Sequence, residues 1–166
     1  MKNIRNKQAQ EKDEFPVGKK GFAVCSGCDA VYHKKSWHHE EKFADKIEGI
    51  RKEAGSVICP ACEREKNDLC EGFVVLIDIP EEKMQEVFNL IQNVGEKAIK
   101  NDILSRITKM EERDGDIYIC TTENQLAVSL GKQIQKAFKG EVDTNWSGRD
   151  GIARVTWRYP APKHGK

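Results

Sequence analysis

Four cysteines stand in two matched pairs, Cys25-Ser-Gly-Cys28 and Cys59-Pro-Ala-Cys62, with thirty residues between the pairs. One such pair suits either half of a metal site or a redox dithiol. Zinc takes four tetrahedral ligands, thiolates serve it well, and a two-residue gap lets both sulfurs of a pair face one ion. Two pairs supply the whole shell, so Cys25, Cys28, Cys59 and Cys62 are expected to hold Zn2+. A redox role calls for a single pair at a helix start near a βαβ unit, whereas here each pair has a mate. Gly27 is expected to take the tight backbone conformation of a knuckle, and Pro60 to stiffen the other. A catalytic zinc keeps a position open, and four thiolates close it, so the site reads as structural. His33, His38 and His39 offer alternative ligands without a regular spacing, and read as exposed polar residues. Cys70 reads as a boundary residue. Cys120, alternating with apolar neighbours, reads as a small core residue.

A second group of residues could touch nucleic acid. "YHKKSW" (32–37) sets Lys34 and Lys35 among rings that can stack on bases. Equally, Tyr32 and Trp37 can pack over the zinc knuckle while the lysines stay solvated. In "ARVTWR" (153–158) a strand period of two puts Arg154 and Arg158 on the face opposite Trp157, free to meet phosphates or simply solvent. With 28 basic and 27 acidic side chains, no global attraction to nucleic acid exists, so any contact must be local. The RNP1 signature of RRM domains is missing. No nucleophile–base motif, Gly-rich phosphate loop or HExxH sequence occurs, and an enzyme is not expected.

The elements that must position these residues follow from hydrophobic periodicity. Residues 1–20 are charged and aperiodic, and read as a flexible tail, as do residues 161–166. Residues 21–71 form the zinc-binding module. Within it Phe43, Ile47, Ile50 and Ala54 recur at helical steps, with Gly55 placed as a helix C′ glycine. From Gly72 the texture changes. "GFVVLIDI" (72–79) reads as a buried strand. Pro80 and two glutamates open an amphipathic helix carrying Met84, Val87, Phe88, Ile91 and Val94. "DILSRITKM" (102–110) and "IYICT" (117–121) read as a hairpin around "RDGD". Thr122 and Gln125 match a capping box before a helix with Leu126, Leu130, Ile134 and Phe138. Strands over 141–146 and 152–159 complete the order β-α-β-β-α-β plus one strand. The fold class expected is therefore α+β: a small four-cysteine zinc-knuckle module, then over 72–160 a ferredoxin-like split βαβ domain with an extra C-terminal strand. No run of about 18 apolar residues and no apolar signal region occurs, which points to the cytosol and to reduced thiols.

With these motifs in place, the chain resembles the nonsense-mediated-decay-three family, the export adaptors of the large ribosomal subunit. The resemblance runs over about residues 22–159, through the knuckles ending in "CPACERE", the strand "GFVVLIDI", the stretch "ILSRITKMEERDGDIYICTTENQLAVSLGKQI" and the closing "GRDGIARVTWRY". The family has further knuckle pairs, downstream domains and export signals, so the chain looks like a short prokaryotic-type relative or an N-terminal region. The resemblance implies that Cys25, Cys28, Cys59 and Cys62 are zinc ligands and that the partner is the large ribosomal subunit or ribosomal RNA. It does not imply nuclear export. A protein–protein adaptor without RNA affinity is the competing expectation, given fourteen charges of each sign over residues 73–166. No membrane association and no small-molecule substrate are expected.

Overall fold

The computed structural model describes residues 13–163. Of the two expected tails, residues 1–12 and 164–166 lie outside the described residues. The chain is α+β, with two mixed sheets and four α-helices among the described residues. It divides into two compact units between Ile58 and Cys59, ahead of the composition shift near residues 68–72. No helix of the described residues is long and apolar enough to cross a membrane.

The first unit is built on a four-stranded sheet of β1 (Phe22–Cys25), β2 (Val31–His33), β3 (Ser36–His38) and β4 (Gly55–Val57). The order is β3-β2-β1-β4, with β1 antiparallel to β2 and parallel to β4. Between β3 and β4 come a 3-10 turn (Glu40–Phe43) and α1 (Ile47–Glu53). The helical stretch is thus shorter than the spacing of Phe43 to Ala54 suggests, because Ala54 is already extended. Gly55 stands at C′, directly after the Ala54 C-cap, but does not take the left-handed conformation. It begins β4, where a Cβ would run into the carbonyl of Pro16. Few side chains are fully covered here, so rings fill much of the interior. Phe15, Tyr32 and Trp37 pack with centroids 5.0–5.3 Å apart, which ties Phe15, from the segment expected as a tail, to the sheet.

The second unit begins with α2 (Pro60–Lys66) and continues through β5 (Gly72–Ile77), α3 (Glu81–Asn101), β6 (Ile107–Arg113) and β7 (Asp116–Thr121). It closes with α4 (Asn124–Phe138), β8 (Glu141–Trp146) and β9 (Ala153–Arg158). The sheet order is β6-β7-β5-β9-β8. The last strand is therefore not appended at an edge. β9 lies between β5 and β8, parallel to β5 from Gly72↔Ala153 to Ile77↔Arg158 and antiparallel to β8. In a plain ferredoxin-like sheet the fourth strand would pair with the first directly.

Period-two alternation in β5, β7 and β9 sends Val74, Leu76, Ile117, Ile119, Val155 and Trp157 to one face. There they meet Val87, Ile91 and Val94 of α3 and Leu126, Leu130 and Ile134 of α4 in one core. The helix α4 sits close to β9 because Gly131 has no side chain. A Cβ there would collide with Val155 Cγ1. Trp157 is fully buried, and its indole N–H donates to the Lys139 carbonyl (2.6 Å), which removes the cost of burying that donor.

Two local expectations are corrected. The segment 102–106 is a loop rather than the start of a strand. Asp102 Oδ1 accepts the Leu104 N–H (2.9 Å) and its carbonyl accepts that of Ser105 (3.0 Å), a local turn that competes with sheet pairing. The capping box does not form either. Glu123 is the N-cap of α4, and the Thr122 hydroxyl is engaged by the loop instead, donating to the Leu104 carbonyl (2.7 Å) and accepting the Arg106 N–H (2.8 Å).

Candidate metal centre and contact residues

The two cysteine pairs are held by different local structures. Cys25 ends β1, and the chain turns so that the Gly27 N–H donates to Cys25 Sγ (3.4 Å) and the Asp29 N–H to the Cys25 carbonyl (3.0 Å). The residue that takes the left-handed conformation is Asp29 (φ 62°), not Gly27. Cys59 is the N-cap of α2, with Pro60 at the first helical position. Its Sγ accepts the Cys62 N–H at 3.4 Å. Both knuckles therefore aim backbone N–H groups at sulfur.

The four sulfurs of Cys25, Cys28, Cys59 and Cys62 lie within 4.8 Å of one another. A tetrahedron with Zn–S bonds of about 2.3 Å has edges of about 3.8 Å, so the cluster has the right size for a single ion. Cys25 and Cys59 are buried, Cys28 and Cys62 partly exposed. These thiols can hold a metal ion, and among the described residues no histidine, aspartate or glutamate joins them. His33 stacks on Phe22 (4.0 Å), and His38 lies 3.3 Å from Lys42 Nζ and against Phe43. Burial, then the Lys42 charge, holds the His38 imidazole below its ordinary pKa. His39 is partly buried, with a covered Nε2 that has no hydrogen-bond partner.

Sequence reasoning missed Arg106. Its side chain is only 8% exposed, rare for an arginine without partners. The guanidinium Nη1 donates to Cys62 Sγ (3.5 Å) and lies 3.8 Å from Glu65 Oε2, while Nε donates to the Ile103 carbonyl (2.8 Å). The cation is thereby fixed against one ligand of the cluster. No pattern in the sequence signals this, because Arg106 follows Cys62 by 44 positions.

The remaining two cysteines behave otherwise than expected. Cys70 and Cys120 form a disulfide, with Cα atoms 5.4 Å apart. Cys120 is not a core residue. Ile117, Ile119 and Thr121 take the buried side of β7, which turns Tyr118 and Cys120 to the outer face.

That outer face carries the arginines singled out from the sequence. Arg154 and Arg158 are exposed, as the alternation requires, beside Phe73, Val75 and Ile77 of β5. Arg154 Cζ stands 5.2 Å over the Phe73 ring, and Arg158 is ion-paired with Asp78. Across the sheet, Arg113 lies over Tyr118 (5.6 Å) and pairs with Glu111, which also binds Lys109 (2.8 Å). Hydrogen bonds from Lys109 and then Arg113 hold the Glu111 carboxyl below its ordinary range. Lys34 and Lys35 belong to the first unit, as the two-residue turn between β2 and β3. Both take positive φ (49° and 64°), a conformation that costs non-glycine residues about 1 kcal/mol or more each. Compared with protein-family models, curated proteins and solved structures, the chain has no match in any of the three.

Proposed function

We propose that the chain is a cytosolic, non-enzymatic zinc protein that associates with the large ribosomal subunit or its RNA. Soft thiolate ligands favour zinc over hard cations, and four of them leave no open position for catalysis. The observation that carries the RNA reading is the outer sheet face of the second unit, where the Arg154 guanidinium stacks over Phe73 with Arg158 on the same side of the strand. Cations placed on aromatic rings at an open surface supply both phosphate attraction and a stacking platform. The resemblance to the nonsense-mediated-decay-three family supplies the choice of ribosome. We read the second unit as a ferredoxin-like plan in which β9 has been inserted between the first and fourth strands.

Metal analysis of the purified protein is expected to give one zinc per chain; iron, or no metal at all, would remove the zinc reading. Cosedimentation with ribosomal particles at low salt should be clear, weaken as salt rises, and fall when Arg154→Glu and Arg158→Glu are combined. Absence of cosedimentation at low salt would sink the ribosomal reading. The adaptor reading draws on β8, which lies at one edge of its sheet and has one strand neighbour among the described residues. Crosslinking that recovers a protein partner, unchanged by nuclease, would favour it.

A further inference from the structure

On the helix side of β8, away from the outer face just described, Trp146 is 57% exposed, more than any other large apolar side chain among the described residues. It closes one end of a groove of about 500 Å³ whose other wall is α4: Gln125, Val128, Ser129, Lys132, Gln133 and Lys136. Three properties of this groove point the same way. It contains two ammonium groups and no carboxylate, and neither lysine is in an ion pair among the described residues. Lys132 and Lys136 are four residues apart on α4, about 6 Å along the axis, a spacing comparable to neighbouring phosphates on an extended strand. The backbone next to the tryptophan is also anchored. Asn124 donates to the Gly151 carbonyl (2.8 Å) and accepts the Ala153 N–H (2.6 Å), which clamps the turn that follows Trp146 to the start of α4.

We infer that the α4–β8 groove binds a segment of single-stranded RNA, with one base stacked on Trp146 and adjacent phosphates on Lys132 and Lys136. A helical peptide would want several apolar anchors at i, i+3, i+4 and i+7, and the groove offers one valine and one ring. Beside the lysines, the Gln133 amide, which donates to the Ser129 hydroxyl (3.0 Å), keeps an acceptor oxygen and a second N–H for base edges. Base–aromatic stacking is tolerant of sequence, so the groove selects single strands over duplex rather than one sequence over another. The assignment rests on the RNA reading above for its ligand class, and adds a surface distinct from the Arg154 face.

The test uses the full zinc-loaded chain and fluorescein-labelled uridine and adenosine decamers, read by anisotropy. Trp146→Ala is expected to weaken binding about 10-fold and Trp146→Phe about 3-fold or less, as loss and partial retention of one stacking contact require. Combining Lys132→Gln with Lys136→Gln should lower the slope of log affinity against log salt by about 1.4, at about 0.7 for each phosphate contact to a single strand. Both side chains are at the surface, and unchanged melting temperatures should show that the variants fold. The inference fails if wild type binds no decamer, if Trp146→Ala binds as wild type does, or if duplex RNA or polyglutamate binds as tightly. Cosedimentation is scored separately. Particles bound undiminished by Trp146→Ala overturn the groove but leave the ribosomal reading standing. Decamers bound through Trp146 without cosedimentation do the reverse.

Discussion

A buried guanidinium beside a cysteine sulfur would alter the charge balance of a metal ion held there. Four thiolates around a divalent ion carry a net double negative charge, and Arg106 offsets part of it through Cys62 Sγ. Its own backbone is held by Thr122, which fixes where the cation sits. Outer partners of metal ligands are worth about 10–100-fold in affinity. Arg106→Gln should therefore lose zinc to a chelator at about 10–100-fold lower competitor concentration; an unchanged competition curve would mean that Arg106 only fills space. His38 gives a second expectation. Its pKa is lowered in the folded chain, so the unfolded chain binds more protons as pH falls. The associated stability is complete above the ordinary histidine pKa and declines as pH drops through it. Melting at about pH 7.5 and about pH 5.5, either side of the ordinary value, should show a smaller pH dependence in His38→Gln than in wild type. At this scale the four ligands are legible because their spacing is itself the chemistry. Arg106 is not, since "ILSRIT" alternates like a strand and only the Asp102 turn diverts it inward.

Among the elements, α3 and α4 are legible from their apolar stripes and the strands of the second unit from their alternation, because both patterns directly report burial, whereas α2 carries no such stripe and is not. Ends and caps are less so. Thr122 has the sequence of a cap but serves the 102–106 loop, and Cys120 has the neighbours of a core residue although they face the other way. Gly131 has no legible role until α4 is placed against β9. Gly131→Ala should destabilise the second unit by about 1–3 kcal/mol through overpacking, measured as a shift in urea midpoint; a neutral result would mean that α4 can slide. The Cys70–Cys120 disulfide joins residues 50 apart, for which chain-entropy arguments give about 4 kcal/mol. Cys70→Ser should lower the urea midpoint of oxidised protein toward that of reduced wild type. In any compartment that keeps thiols reduced, the reduced value would govern.

For the whole molecule, the two units differ in what holds them. The second has a core of fourteen buried side chains, whereas the first is lined by small residues and rings, with Tyr32 and Ile50 its largest buried groups. Structural zinc contributes roughly 10–16 kcal/mol of apparent binding free energy in small domains. Chelation should therefore abolish amide-exchange protection in β1–β4 while β5, β7 and β9 stay protected; equal loss in both would show that the second unit also depends on the metal. The place of β9 carries one more consequence. Because its neighbours β5 and β8 cannot pair with each other across the gap it fills, the central sheet cannot close until the chain has been synthesised past Arg158. During translation β5 waits through two helices and three strands for its parallel neighbour. The β5–β7–β6 part of the sheet can pair earlier, so a stalled nascent chain would leave the β9 side of β5 as an open edge.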